Sequence, residues 1–235
     1  MRRSNSLVAL LAVTFTGLGM GSVLAAEEVF FRWQAASRSV QISDIEAYAV
    51  SGETSDQLQS YFDMVRHPDG LNALRPILVQ DMQVDFIAFE KFLRSEAGEC
   101  MLNHMGNLLK PSPRSTAGKI SLRAALVNAT APDGHFSLLE ILSAYPTNQL
   151  HLDVDQIARE NNHDRTIHDD LAEFWDQGGL PQDQMRQLEA QFASEDISTD
   201  LPPLDFTEID YDVLADVTLR ICEKLNRSVT DTAMQ

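Results

Sequence analysis

The chain has 235 residues, with 35 Asp and Glu against 18 Lys and Arg, a formal net charge of −17. Such a surface repels nucleic acid and anionic lipid, which are held through cationic side chains; it favours solubility and attracts cations or basic partners. Two cysteines, Cys100 and Cys222, are too few for a disulfide framework. They could pair in an oxidising compartment or lie buried separately, and their spacing does not decide which.

Arg2 and Arg3 precede an apolar run from Leu7 to Leu24, and Val23-Leu24-Ala25 fits a small-x-small cleavage pattern. A charged start, a short apolar core and a small-residue end are the parts of a cleavable signal peptide, so residues 1–25 are expected to be removed before Ala26. Gly, Ser and Thr interrupt the run too often for a membrane anchor. The residues after the arginine pair do not match the twin-arginine route. Removal takes away two arginines and no acid, leaving 16 − 35 = −19. The remainder suits one domain, or one domain with a small appendage.

Val29, Phe31 and Trp33 alternate, as do Val40 and Ile42, which predicts a hairpin turning through Ala35 to Arg38. Ser43-Asp44-Ile45-Glu46 reads as a capping box that opens a helix, stopped by Ser51-Gly52, and Thr54 with Gln57 reads as a second box. Leu58, Tyr61, Phe62 and Val65 then follow at helical spacing. After a turn at His67-Pro68-Asp69-Gly70, apolar stripes recur: Leu71, Leu74, Ile77, Leu78; Phe86, Phe89, Leu93; and Met101 to Leu109, closed by Lys110-Pro111. A helix through Leu122, Ala125, Leu126 and Ala129 ends at Asp133-Gly134, and Ser137 with Glu140 caps one more before Tyr145-Pro146.

Leu150, Leu152 and Val154 alternate again, and this strand is expected to join the N-terminal hairpin in a small sheet. Beyond residue 155 come stripes of Ile167, Leu171, Phe174, Trp175 and of Met185, Leu188, Phe192. An acidic, Pro-containing linker from Ser194 to Asp205 follows. A last helix runs through Val213, Leu214, Val217, Ile221 and Leu225, and Ser228 to Gln235 reads as a loose tail. The predicted fold is mainly α, an α+β arrangement with a minor sheet: a bundle of short helices, an N-terminal β-hairpin and one further strand near 150–154. The predicted divisions are 1–25 signal, 26–155 helical domain, 156–200 helical extension, and 201–235 C-terminal helix and tail.

Four stretches carry a resemblance. They are Val29-Phe30-Phe31 leading to the run Ser39 to Ala49 with Ser51-Gly52-Glu53; Phe92-Leu93 with Gly98-Glu99 and Gly106; Leu122 to Leu126 with Asp133-Gly134; and Ser137 to Glu140 with Tyr145-Pro146-Thr147. Over residues 27–155 the chain resembles the uncharacterised domain found N-terminal to the α/β-hydrolase domain in secreted cyanobacterial proteins. The family is labelled α/β-hydrolase, of unknown substrate. A hydrolase domain after residue 155 is expected to be absent: 80 residues follow, they read as helices and linker, and a doubly wound parallel sheet needs more.

The chemistry fits that expectation. A G-x-S-x-G elbow needs glycines flanking a strained serine. Only Gly17 and Gly21 have the spacing, inside the signal peptide. Ser43 follows a strand and precedes a helix, but an N-cap explains it. Cys100 and His104 share a helical face, with no third group to orient the histidine. His163 and His168 are five apart, which does not place both on one face. Asp153 with Asp155, and Asp210 with Asp212, lack the glycine and glutamate of a calcium loop. Phe86, Phe89, Phe92, Phe174 and Trp175 read as core rather than a ligand groove. No catalytic, cofactor-binding or metal-binding residue is assigned.

The reading that follows is an exported, periplasmic or extracellular, non-catalytic accessory or binding module. Its partner would be a separate α/β-hydrolase or an apolar ligand, with no nucleic acid and no transmembrane anchor after signal cleavage. The alternatives are an esterase- or lipase-like carboxylic-ester hydrolase, and a structural envelope protein that binds cations through its acidic surface.

Overall fold

The computed structural model describes residues 25–33, 36–64, 74–156 and 202–232. Residues 1–24 of the predicted signal peptide, the His67–Gly70 turn, and the stripes from Ile167 to Phe192 fall outside them. Strands β1 (Glu28–Trp33) and β2 (Ala36–Gln41) form the predicted antiparallel hairpin, with Val29 opposite Val40. Pairing runs on through Phe31–Arg38 to Trp33–Ala36, so most of the expected Ala35–Arg38 turn is strand.

Strand β6 (Gln149–Asp153) lies parallel to β1, placing Leu150 beside Val29 and Leu152 beside Phe31. The expected union of hairpin and late strand is therefore present, and a two-residue β4 (Leu109–Lys110) adds antiparallel to β6. The order is β2-β1-β6-β4. Parallel neighbours need a long crossover, and the described part of the chain between Gln41 and Gln149 supplies a crossover made of helices. Val29, Val40 and Leu150 are almost fully buried beneath them. On the opposite face Phe30 stacks on His151 at 4.7 Å, and Arg32 pairs with Asp153.

Helix α1 (Ile42–Ser51) follows β2 without a loop and turns Ile42, Ile45, Tyr48 and Ala49 inward. Its N-cap is Gln41, so the expected Ser43–Glu46 box does not form. The reason is local: the Ile42 N–H donates to the Glu27 carbonyl at 2.9 Å, and the helix starts two residues early, leaving Ser43 exposed in the first turn. Arg75 donates to the Ala49 and Val50 carbonyls at the other end. Helix α2 (Asp56–Met64) is capped by Ser55, whose Oγ accepts from the Leu58 N–H at 3.2 Å, rather than by Thr54. Gln57 and Tyr61 of α2 both donate to the Ser39 carbonyl, covering the outer edge of β2.

Helix α3 (Leu74–Val79) buries Pro76 and Leu78 and leaves Ile77 exposed, out of its predicted stripe. Helices α4 (Phe86–Leu93), α5 (Glu96–Leu108) and α6 (Gly118–Thr130) hold the centre of the core, with Leu93, Leu102, Leu122 and Ala125 at 0–1 % exposure. Asp85 and Ser95 cap α4 and α5. The predicted capping box of Ser137 and Glu140 is complete and opens α7 (Leu138–Ser143).

A second sheet was not anticipated. It consists of β3 (Met82–Val84), β5 (His135–Phe136) and β7 (Leu204–Phe206), in the order β5-β3-β7, with β5 antiparallel and β7 parallel to β3. The end of the predicted linker is thus strand. Helix α8 (Tyr211–Thr232) packs on α5 and continues through Ser228 to Thr232, where a tail was expected. Once nucleated, a helix adds a hydrogen bond with each residue, and no breaker stands there.

Cys100 on α5 and Cys222 on α8 form a disulfide. A structural disulfide points to an oxidising compartment. Among the described residues the fold is mostly helical with minor β structure, as predicted, though in two small mixed sheets rather than one, and no helix there is long and apolar enough to cross a membrane.

Candidate functional site

The second sheet has two unlike faces. Met82, Val84, Phe136 and Phe206 turn toward the hydrophobic core. The period of two then puts Gln83, His135 and Asp205 on the other face, where the register aligns His135 and Asp205 on either side of Gln83. Asp81, just ahead of β3, brings its Oδ2 to 2.9 Å from His135 Nδ1. His135 and Asp81 side chains are each about one-third exposed, so the pair faces solvent.

Local bonds hold this arrangement. The Asp133 carboxylate accepts from the His135 N–H at 3.0 Å, and Gly134 (φ +81°) turns the chain tightly over the Val84 carbonyl. On β7, Asp205 Oδ1 accepts from both the N–H and the hydroxyl of Thr207, at 2.9 and 2.6 Å. The hydrogen bond to Asp81 holds the His135 imidazolium above the usual histidine range. Partial burial opposes this, and the charges of Asp81, Asp133 and Glu140 reinforce it. The Asp205 carboxyl lies below its usual range, chiefly through the Thr207 bonds, with His135 adding attraction.

A histidine whose Nδ1 is fixed by a carboxylate keeps Nε2 for proton exchange with solvent or a ligand. Its neighbours across the sheet are an amide and a carboxylate, and the Thr207 hydroxyl hydrogen is spent on Asp205. Sequence reasoning singled out none of Asp81, Gln83, His135 or Asp205 for this face. Strands of two and three residues carry too little alternation to be legible.

The residues that the sequence did single out have other positions. Cys100 is in the disulfide, so it offers no thiolate beside His104. Asp153 is paired with Arg32, and its Oδ1 accepts from the Gln156 N–H. Asp210 caps α8, accepting from the N–H groups of Asp212 and Val213. Phe89 stacks on Phe136 at 5.6 Å, and Phe92 is buried against Tyr211 at 5.8 Å. His163, His168, Phe174 and Trp175 lie outside the described residues. Among those described, no group of three or more His, Cys, Asp or Glu is placed to hold a metal ion.

The family model described as "alpha/beta hydrolase of unknown function (DUF1400)" matches residues 25–153. The chain belongs to this family. The match covers sheet β2-β1-β6-β4 together with β3 and β5, and it stops before β7 and α8. The DUF1400 region is thus a helical crossover closed by mixed sheets, and the polar face is completed from beyond it. No curated protein and no solved structure matches the chain.

Proposed function

We propose that the protein is an exported accessory or binding module of the DUF1400 family, acting in the periplasm or outside the cell on a separate hydrolase or an apolar ligand. The observation that carries this reading is that, among the described residues, two candidate acyl-transfer nucleophiles are otherwise employed. The thiol of Cys100 is consumed by Cys222, and the Ser137 hydroxyl is bonded within its capping box. His135 looks across its sheet to Gln83 and Asp205 rather than to a hydroxyl or thiol.

One observation favours a second reading, a carboxylic-ester hydrolase: the carboxylate-oriented, solvent-facing His135 is what a general base requires. Labelling the purified, folded protein with a fluorophosphonate and following simple ester turnover separates the two. The accessory reading expects silence in both, together with a protein or lipid recovered on the immobilised protein from the native envelope. A single labelled serine with measurable turnover, abolished by its replacement and by His135→Gln, would establish the hydrolase instead.

A further inference from the structure

Only Ala26 and Glu27 separate the expected cleavage point after Ala25 from strand β1. Ala25 is exposed, but Ala26 has 6 % exposure and belongs to the hydrophobic core. The Glu27 N–H donates to the Asn148 carbonyl at 2.9 Å, and the Glu27 carbonyl accepts from the Ile42 N–H at 2.9 Å. The Glu28 N–H shares the Asn148 carbonyl at 3.2 Å. From Glu28 onward β1 is paired on both sides, to β2 and to β6.

Burial and hydrogen bonding of the backbone decide whether a peptide bond can be cut. Here the residue after the bond is buried, and the next has both backbone groups engaged. An edge strand could fray at little cost. β1 lies inside the order β2-β1-β6-β4, so freeing it breaks two ladders at once and lifts Val29 out of the core. The Cys100–Cys222 bond is a separate sign that the fold is completed late, because a reducing cytosol keeps such thiols apart.

We propose that the Ala25–Ala26 bond is a proteolytic processing site that folding closes, so that a signal peptidase cuts it before β1 takes its place in the sheet. The step is a hydrolysis. Water adds its oxygen to the Ala25 carbonyl, the bond to the Ala26 nitrogen breaks, and the proton goes to the new amine. Ala25 leaves as a carboxylate and Ala26 becomes the α-amino terminus. A route that carries folded chains across a membrane would present this bond already closed, which favours transport of the unfolded chain. The site rests on the exported reading, whereas its closure by folding does not.

Cell-free synthesis of the full chain tests this, with purified signal peptidase either present during synthesis or added after the chain has folded and oxidised. Cleavage during synthesis is expected to give a product whose N-terminal sequence begins Ala26-Glu27-Glu28. The folded chain is expected to be cut at least about tenfold more slowly, since cleavage then follows the open population. A variant with a flexible Gly-Ser spacer of about eight residues between Ala26 and Glu27 moves the bond clear of the sheet, and is expected to be cut as fast when folded as during synthesis. Equal rates for the parent in both states overturn the closure and leave the leader in place. A folded spacer variant that resists as the parent does also overturns it, because burial at β1 is then not the cause. No cleavage in either state removes the site, and the exported reading with it.

Discussion

Gly106 and Gly118 meet where α5 crosses α6. A methyl on Gly118 would lie 1.8 Å from the Gly106 carbonyl oxygen, and one on Gly106 would lie 2.3 Å from the Lys119 nitrogen. Both obstacles are backbone, so no rotamer change relieves them. The crossing is reinforced by Glu99, which pairs with Lys119 at 2.7 Å and with Arg123. Gly118→Ala is therefore expected to cost about 3 kcal/mol, read as a lower urea midpoint at unchanged slope. A variant as stable as the parent would mean that the helices separate freely. At this scale the sequence was partly legible. Gly106 could be marked as part of a pattern, but the backbone it touches comes from residues twelve positions on. Ser43 could be marked as a cap, but the Glu27 carbonyl that pre-empts it lies just ahead of the opposite strand.

Among the elements, α7 is the one whose start was read correctly, because its signal is wholly local. The Ser137 hydroxyl accepts from the Glu140 N–H at 3.2 Å, and the Glu140 carboxylate accepts from the Ser137 N–H at 2.7 Å. Ser137 is itself buried, so its loss leaves the Glu140 N–H without an alternative acceptor in water. Ser137→Ala is expected to lower stability by about 1 kcal/mol or somewhat more, measured by equilibrium unfolding. Ser43→Ala, on the exposed first turn of α1, should be neutral by the same measurement. An equal cost at both sites would contradict the capping assignments. The long apolar stripes were also legible as helices, since α4, α5 and α6 repeat their period over two turns or more. The strands β3, β4, β5 and β7 were not, because two or three residues hold no period and their pairing is set by partners far along the chain.

For the whole molecule, the polar face of the second sheet joins segments that are distant in sequence: Asp81, His135 and Asp205. The raised His135 contributes stability that is complete below its unfolded value of 6.5 and is lost as pH rises through its higher folded value. The depressed Asp205 contributes above its unfolded value of 3.8, and loses this as pH falls through its lower folded value. Both are charged between those limits, so the junction is tightest in mild acid. His135→Gln is therefore expected to be less stable than the parent near pH 5, with the gap narrowing as pH rises past neutrality. A pH-independent gap would show that the imidazolium adds nothing. Solvent screening keeps the effect small, since both side chains of the His135–Asp81 pair are partly exposed.

The sequence by itself determined the class of fold, the N-terminal hairpin and its union with a late strand, and the helices with strong periods. These rest on composition, on local capping, and on patterns repeated within one element, which a chain carries before it folds. Only the tertiary structure decided that Cys100 meets Cys222, that a second sheet exists, and that residues 202–232 complete it. It also decided that Asp81 orients His135 beside Asp205. Those outcomes depend on which distant segments can bury their apolar faces together, and hydrophobic burial is non-directional, so nothing local records them.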